Sequence, residues 1–210
     1  MNPNLTEIVY VMDRSGSMHH LTMDVVGGFN SFVEEQKKVE GDAMITTVLF
    51  NTEIDTVHNH TSLSNVAPMK IEDFQACGMT ALMDAVGSAI DAVGKRLSET
   101  PENDRPSKVL FVIMTDGMEN ASRKYDVARV KEMIEHQQTK YGWEFIFVGA
   151  GIDAYAVGNT IGIKGENTMN TRASADGMSA MYCAMSAATT SLRSKGFVDS
   201  KWKEGHESGC

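Results

Sequence analysis

The sequence predicts an α/β fold: a doubly wound, mostly parallel sheet with one antiparallel edge strand and helices on both faces. Short apolar runs rich in β-branched and aromatic residues alternate with longer segments whose apolar residues recur at helical spacing. The strongest run, residues 109–114, has no polar position. Such a run is typical of a central parallel strand that helices cover on both faces.

The elements follow in order along the chain. Strands are predicted over residues 8–12, 43–50, 54–57, 108–115, 143–148 and 167–171. Amphipathic helices are predicted over residues 25–38, 80–97, 126–134, 153–160 and 178–192. A tight turn at Asn51-Thr52 makes the third strand the antiparallel edge. We interpret residues 1–200 as a single domain and 201–210 as a polar, flexible tail.

The composition excludes some functions and predicts a location. A net charge of -9 argues against nonspecific attraction to nucleic acid or to an anionic membrane. No apolar segment is long enough to span a bilayer, and no secretory signal begins the chain, so we expect a cytoplasmic protein. Three widely spaced cysteines, Cys77, Cys183 and Cys210, are predicted to be reduced. A monomer is favoured.

A polar loop directly after the first strand carries the main functional signal. Asp13, Ser15 and Ser17 offer one carboxylate and two hydroxyls at alternate positions, which an extended backbone would point the same way. In α/β sheets, ligands bind at this carboxyl edge. Hard oxygen donors suit a divalent cation, with Mg²⁺ favoured and Mn²⁺ or Ca²⁺ as alternatives. One carboxylate cannot neutralise such an ion, so further donors must come from elsewhere.

Two later residues fall at the same edge. Asp116 follows the strongest strand, and Thr80 lies between Gly78 and a long helix. Taken alone, Thr80 and Ser17 would be ordinary helix N-caps, and Asp116-Gly117 an ordinary turn. Three separate segments that bring oxygen donors to one edge favour a metal site.

These motifs resemble the metal-ion-dependent adhesion site (MIDAS) of von Willebrand factor type A (VWA) domains. The matching residues are Asp13-x-Ser15-x-Ser17, Thr80 in Gly78-Met79-Thr80, and Asp116 in Thr115-Asp116-Gly117, although many relatives have glycine where Met79 stands. The resemblance implies that Ser15 and Ser17 bind the metal directly, Asp13 and Asp116 partly through water, and Thr80 in either way. It further implies a protein partner whose Asp or Glu side chain completes the shell, without catalysis. The absent signal and the cysteines make the chain more similar to intracellular bacterial or phage members.

Two other classes of function are alternatives to a metal-dependent binding module. Asp13 could be the nucleophile of a magnesium-dependent phosphohydrolase, but those enzymes have a second aspartate where Ser15 stands. A structural assembly subunit is the third class. No GxxxxGK[ST] motif indicates nucleotide binding.

A few other polar residues have both a functional and a purely structural interpretation. His58 and His60 are expected on one face of the edge strand, where solvent exposure is favoured over metal binding. Glu119 and Asn120 either form a partner-selecting rim or serve as turn and cap residues before Asp126. Arg14 is expected to be a surface charge, with attraction of a partner's carboxylate as the alternative.

Overall fold

A single six-stranded sheet forms the centre of the computed structural model, which describes residues 1–204. The strands are β1 (Asn2–Asp13), β2 (Asp42–Phe50), β3 (Ile54–Ser62), β4 (Pro106–Thr115), β5 (Glu144–Ala150) and β6 (Thr168–Thr171). Their order in the sheet is β3-β2-β1-β4-β5-β6. Every neighbouring pair is parallel except β2 and β3. The carboxyl ends of the central strands β1 and β4 therefore meet at one edge.

Helices cover both faces of this sheet. They are α1 (Thr22–Lys37), α2 (Leu82–Glu99), α3 (Val127–Tyr141), α4 (Ala154–Thr160) and α5 (Ala175–Lys195). Alternate residues of β1 point to opposite faces. Tyr10 packs in one apolar cluster with α1 and α5, and Val11 in the other with α2 and α3. This two-sided burial explains why the middle segments of the central strands, residues 8–12 and 109–114, are apolar on both faces.

The predicted fold class is confirmed, and each predicted strand and helix is present with shifted bounds. β1 begins at Asn2 rather than Ile8, and β3 continues to Ser62. The prediction that His58 and His60 share one face is wrong. The register of β3 shifts in this region, and His60 adopts a positive φ of 51°. His58 therefore stacks on Phe29, whereas His60 contacts the buried Glu7 on the other face.

The predicted carboxyl-terminal boundary also needs correction. Trp202, which we assigned to a flexible tail, is 2% exposed and belongs to the apolar cluster under α1 and α5. A large indole gains more by burial than its polar neighbours gain by staying solvated. The remainder of the predicted tail, residues 205–210, lies outside the described residues.

Cysteine pairing differs from the prediction as well. Cys77 is a free, exposed thiol, but Cys183 is disulfide-bonded, so the expectation of reduced thiols is wrong for Cys183.

Among the helices of residues 1–204, we find none with the length and hydropathy needed to cross a bilayer.

Candidate metal site

Two carboxylates lie at the edge where β1 and β4 end. Asp13 is the last residue of β1, and Asp116 directly follows Thr115, the last residue of β4. The hydroxyl of Thr115 donates to Asp13 Oδ2 at 2.5 Å, which fixes the Asp13 carboxylate against the neighbouring strand. Thr115 stands beside Asp116 in the predicted motif, but its role as a hydrogen-bond donor to Asp13 was not predicted.

Both serines of the first loop join these carboxylates. The backbone N–H of Ser15 donates to Asp13 Oδ1 at 2.6 Å, and the two serine hydroxyls are 3.1 Å apart. Ser17 Oγ donates to Asp116 Oδ1 at 2.6 Å. The backbone is extended only to Ser15, and a 3₁₀ helix over Gly16–Leu21 brings Ser17 back to the site. The expected convergence thus occurs through a helical turn rather than through an extended segment.

Thr80 reaches the same point from a third loop. Gly78, at a φ of +75°, accepts a hydrogen bond from Gly16 N at 3.1 Å, which ties the first and third loops together. A Cβ added to Gly117 would lie 2.9 Å from Thr80 Oγ1 and 3.8 Å from Asp13 Oδ2, so only glycine permits this approach. Thr80 does not cap α2, because Ala81 occupies the N-cap position. All five predicted site residues therefore lie together.

The electrostatics of the site favour a bound cation. Burial raises the pKa of the Asp13 carboxyl, hydrogen bonds from Thr115 and Ser15 partly offset the rise, and the Asp116 charge adds to it. Burial likewise raises the pKa of Asp116, opposed by the Ser17 hydrogen bond and His20. Within residues 1–204, neither carboxylate is paired with a lysine or arginine. A cation placed between them would relieve the cost of ionising both.

This donor set fits a hard divalent cation. Two carboxylates and three hydroxyls supply only oxygen, which is the chemistry that magnesium and its close relatives prefer. The part of the chain that is described contains no cluster of three or more His, Cys, Asp or Glu side chains suited to a metal. The candidate site therefore relies on its hydroxyls to complete a shell.

Arg14, inside the first loop, does not point toward a ligand. Its guanidinium pairs with Asp55 of β3, and its side chain is only 12% exposed. The expectation of a simple surface charge is wrong, because this ion pair draws the side chain against the antiparallel edge. Arg14 instead links the metal-site loop to β3.

Glu119 and Asn120 attach the loop after β4 to the start of α2. Asn120 Oδ1 accepts from Thr80 N at 2.9 Å, and Asn120 N donates to Thr80 O at 3.0 Å. Glu119 Oε2 accepts from Met83 N at 2.9 Å, in the first turn of α2. Glu119 Oε1 also accepts from Ala121 N and Ser122 N at 2.9 and 2.8 Å. The predicted turn role before Asp126 is therefore present, and the capping role falls on α2. These contacts fix Thr80 relative to Asp116.

Asp84 of α2 also holds the loop that follows β4. We expect its contribution to the free energy of unfolding to depend on pH. Its carboxylate accepts from three backbone N–H groups, of Arg123, Lys124 and Tyr125, at 2.8 to 2.9 Å. Burial opposes ionisation, but these bonds outweigh it and hold the pKa of Asp84 below its ordinary value. A lowered folded-state pKa stabilises the protein above the unfolded-state pKa, and this stability disappears as pH falls through the folded-state value.

We therefore expect Asp84→Ala to lower the free energy of unfolding by about 2 kcal/mol at pH 7. The difference from the unmodified protein should shrink below about pH 4. Urea unfolding at a series of pH values measures both effects. Glu99→Ala, at the exposed far end of α2, is the control and should change little. A difference that stays constant with pH would contradict the charged role of Asp84.

Comparison with solved structures identifies the fold. Proximal thread matrix protein 1 from the mussel byssus matches 85% of this chain with 17% identity and a TM-score of 0.58. The ArnB paralog VWA2 from Sulfolobus acidocaldarius matches 90% with 16% identity and a TM-score of 0.55. Manganese-loaded TRAP protein from Plasmodium vivax matches 82% with 13% identity and a TM-score of 0.56. The chain has a von Willebrand factor type A fold.

This chain spans less than half of two of these proteins. This VWA fold spans 44% of the thread matrix protein, 45% of the ArnB paralog and 70% of the TRAP chain. Another structure of the thread matrix protein has a zinc-occupied MIDAS motif. No protein-family model matches the sequence, and no curated protein is significantly similar to it.

Proposed function

We propose that this domain binds a divalent cation, with Mg²⁺ favoured, and through it an acidic side chain of a protein partner. One observation carries the proposal: five oxygen-bearing side chains from three loops converge where, among residues 1–204, two carboxylates have no lysine or arginine partner. Metal-loaded neighbours of the same fold support it, since one contains manganese and another zinc. We also propose that the domain is related to the intracellular bacterial or phage members of the VWA family.

Each residue has a distinct part in the proposed site. Asp13 and Asp116 supply the negative charge, while Ser15, Ser17 and Thr80 supply neutral oxygens. The bound cation would supply an electrophilic position for a partner's carboxylate. Because three of the five donors are uncharged, a further anionic ligand is favourable. Thr115 and Asn120 orient the donors without belonging to the shell.

The surroundings suit a protein partner. Met79 and Met118 flank the site in two of its loops and are 50% and 62% exposed. Unbranched thioether side chains adapt to varied apolar surfaces, which makes them frequent at binding sites. The Asn120–Thr80 hydrogen bonds hold the two loops together, so both methionines adjoin the same site.

The phosphohydrolase alternative fits these contacts less well. A nucleophilic Asp13 would need an accessible carboxylate oxygen, but Asp13 is buried and both of its oxygens accept hydrogen bonds. A structural subunit is the other alternative, for which self-association would persist in a chelator. We propose a monomeric, non-catalytic module that has no nucleic-acid or membrane ligand.

Metal binding is tested by thermal unfolding with added Mg²⁺ or Mn²⁺. A ligand that binds only the folded state at about 100 times its Kd stabilises by about 2.7 kcal/mol. For a chain of this size, the melting temperature should rise by about 5–10 °C. Asp13→Ala and Asp116→Ala should abolish the rise.

Asp104→Ala is the matched control, because this exposed carboxylate lies in the short 3₁₀ helix Glu102–Asp104 before β4, at the opposite edge of the sheet. It should leave the metal-dependent rise intact. The absence of any shift in the unmodified protein would rule out the metal site. Turnover of a generic phosphomonoester that Asp13→Asn abolishes would overturn the binding-module proposal.

Partner binding requires a separate measurement. Affinity capture from the native cell, with Mg²⁺ against a chelator, should recover a protein only with metal and not with Asp13→Ala. Capture that persists in chelator would contradict a metal bridge.

The cytoplasmic location of the protein stays a prediction from the sequence. The bonded Cys183 weighs against it, because disulfides are rare in that compartment.

A further inference from the structure

We propose that a second pocket, at the amino edge of the sheet, binds a small amphipathic anion. The pocket has a volume of about 410 Å³ and lies between the carboxyl-terminal parts of α2 and α3 and the start of β4. This volume falls in the range of small-molecule sites. The metal site lies at the opposite edge, so this pocket is independent of the function proposed above.

The lining of the pocket is apolar at its base. Trp143, which precedes β5, is 6% exposed and stacks on Phe111 of β4 with ring centroids 5.4 Å apart. Ile90 and Leu97 of α2 and Val109 of β4 complete this apolar surface. Gly94 of α2 leaves room above it, since an added Cβ would meet no atom closer than 3.8 Å. The pocket can therefore hold the apolar body of a ligand.

Two polar atoms of the lining have no hydrogen-bond partner in the part of the chain that the structure describes. Nε1 of Trp143 makes no hydrogen bond within residues 1–204 and is not fully buried, so a ligand in the pocket can reach it. The other tryptophan, Trp202, donates to Glu166 O at 2.9 Å. Gln137 Oε1 is buried and has no hydrogen-bond partner within the same residues, so it could accept from a donor group of the ligand body. A ligand with an acceptor oxygen would satisfy the Trp143 donor.

The rim carries positive charge in a protein whose net charge is -9. Lys95 and Lys140 line the pocket, and neither is ion-paired in the described part of the chain. Arg105 is held at the rim because its guanidinium donates to Thr100 O and Ser98 O at 2.7 and 3.1 Å. The acidic residue of the lining, Asp91, is engaged by the Tyr125 hydroxyl at 2.6 Å.

Charge and shape together define the ligand class. An apolar base, an indole N–H donor and basic side chains at the rim fit an aromatic or aliphatic body that carries one carboxylate or sulfonate. The anionic group would lie near Lys95 and Lys140, with an oxygen available to Trp143. A neutral apolar molecule of the same shape would lose these polar interactions.

Fluorescence titration with 8-anilinonaphthalene-1-sulfonate, in EDTA, tests the proposal on the full chain. N-phenyl-1-naphthylamine has the same aromatic body without the sulfonate and should bind about fivefold more weakly. Gly94→Leu fills the pocket and should weaken sulfonate binding by about tenfold or more. Lys95→Gln with Lys140→Gln should weaken it about fivefold but leave the neutral probe unchanged.

Two matched controls define the outcomes. Gly27→Leu places the same side chain at an open position of α1, beside the groove between α1 and α5, and Lys164→Gln removes an exposed cation elsewhere. Both should leave sulfonate binding unchanged. Circular dichroism verifies that each variant folds. Nonsaturable binding, equal affinity for both probes, or a loss with Gly27→Leu instead of Gly94→Leu would overturn the proposal.

Discussion

Replacing Arg96 with alanine is expected to lower the free energy of unfolding by about 3 kcal/mol. Glu7 is fully buried, and its Oε1 accepts from Arg96 Nη2 at 2.6 Å and from Thr46 Oγ1 at 2.9 Å. Its Oε2 lies 2.7 Å from His60 Nδ1. Removing the guanidinium leaves a buried carboxylate without its strongest partner. We place the effect at the low end for a broken buried pair, because Thr46 and His60 stay in contact.

Thermal and urea unfolding measure this effect, with an expected fall in melting temperature of about 6–12 °C. Lys95→Ala, one residue away and exposed, is the control and should stay within about 0.5 kcal/mol of the unmodified protein. The double variant Glu7→Leu/Arg96→Met removes both charges and should recover most of the loss. A double variant as unstable as Arg96→Ala would show that the loss comes from packing instead.

The same cluster shows why the sequence placed the start of β1 incorrectly. Local pattern analysis treats Thr6 and Glu7 as polar residues before an apolar strand that begins at Ile8. Their burial depends on groups distant in sequence, since Arg96 is separated from Glu7 by 89 positions and His60 by 53. Strands whose polar residues have internal partners therefore escape prediction from hydrophobic periodicity.

The convergence of the candidate site residues was more predictable, because these residues follow strand ends and the order of strands fixes where those ends meet. Asp13 and Asp116 could be placed together once β1 and β4 were recognised as parallel central strands. The hydrogen bonds that hold these side chains in place could not be predicted from the sequence. The hydrogen bonds from Thr115 to Asp13 and from Thr80 to Asn120 depend on how the loops approach each other. Thr115 belongs to the predicted motif and Asn120 was a candidate cap residue, but the sequence does not indicate which groups they contact.

Trp202→Ala is the second large effect that we expect, with a loss of about 3 kcal/mol. The sequence around this residue is polar, and composition alone predicts a flexible segment. In the structure, Trp202 is buried, its Nε1 donates to Glu166 O at 2.9 Å, and Val198 packs against the same apolar cluster. The neighbouring Lys203 Nζ donates to Thr168 O at 2.7 Å, so this turn is attached to β6.

Denaturant unfolding distinguishes a packed indole from a solvated one. Trp202→Phe keeps an aromatic ring but loses the hydrogen bond, and should cost only about 1 kcal/mol. Lys201→Ala, at an exposed neighbouring position, should be close to neutral. Equal stability of Trp202→Ala and the unmodified protein would restore the flexible-tail interpretation. The graded loss instead would place the end of the folded domain beyond residue 200, since only a residue that belongs to the core destabilises in proportion to the volume removed.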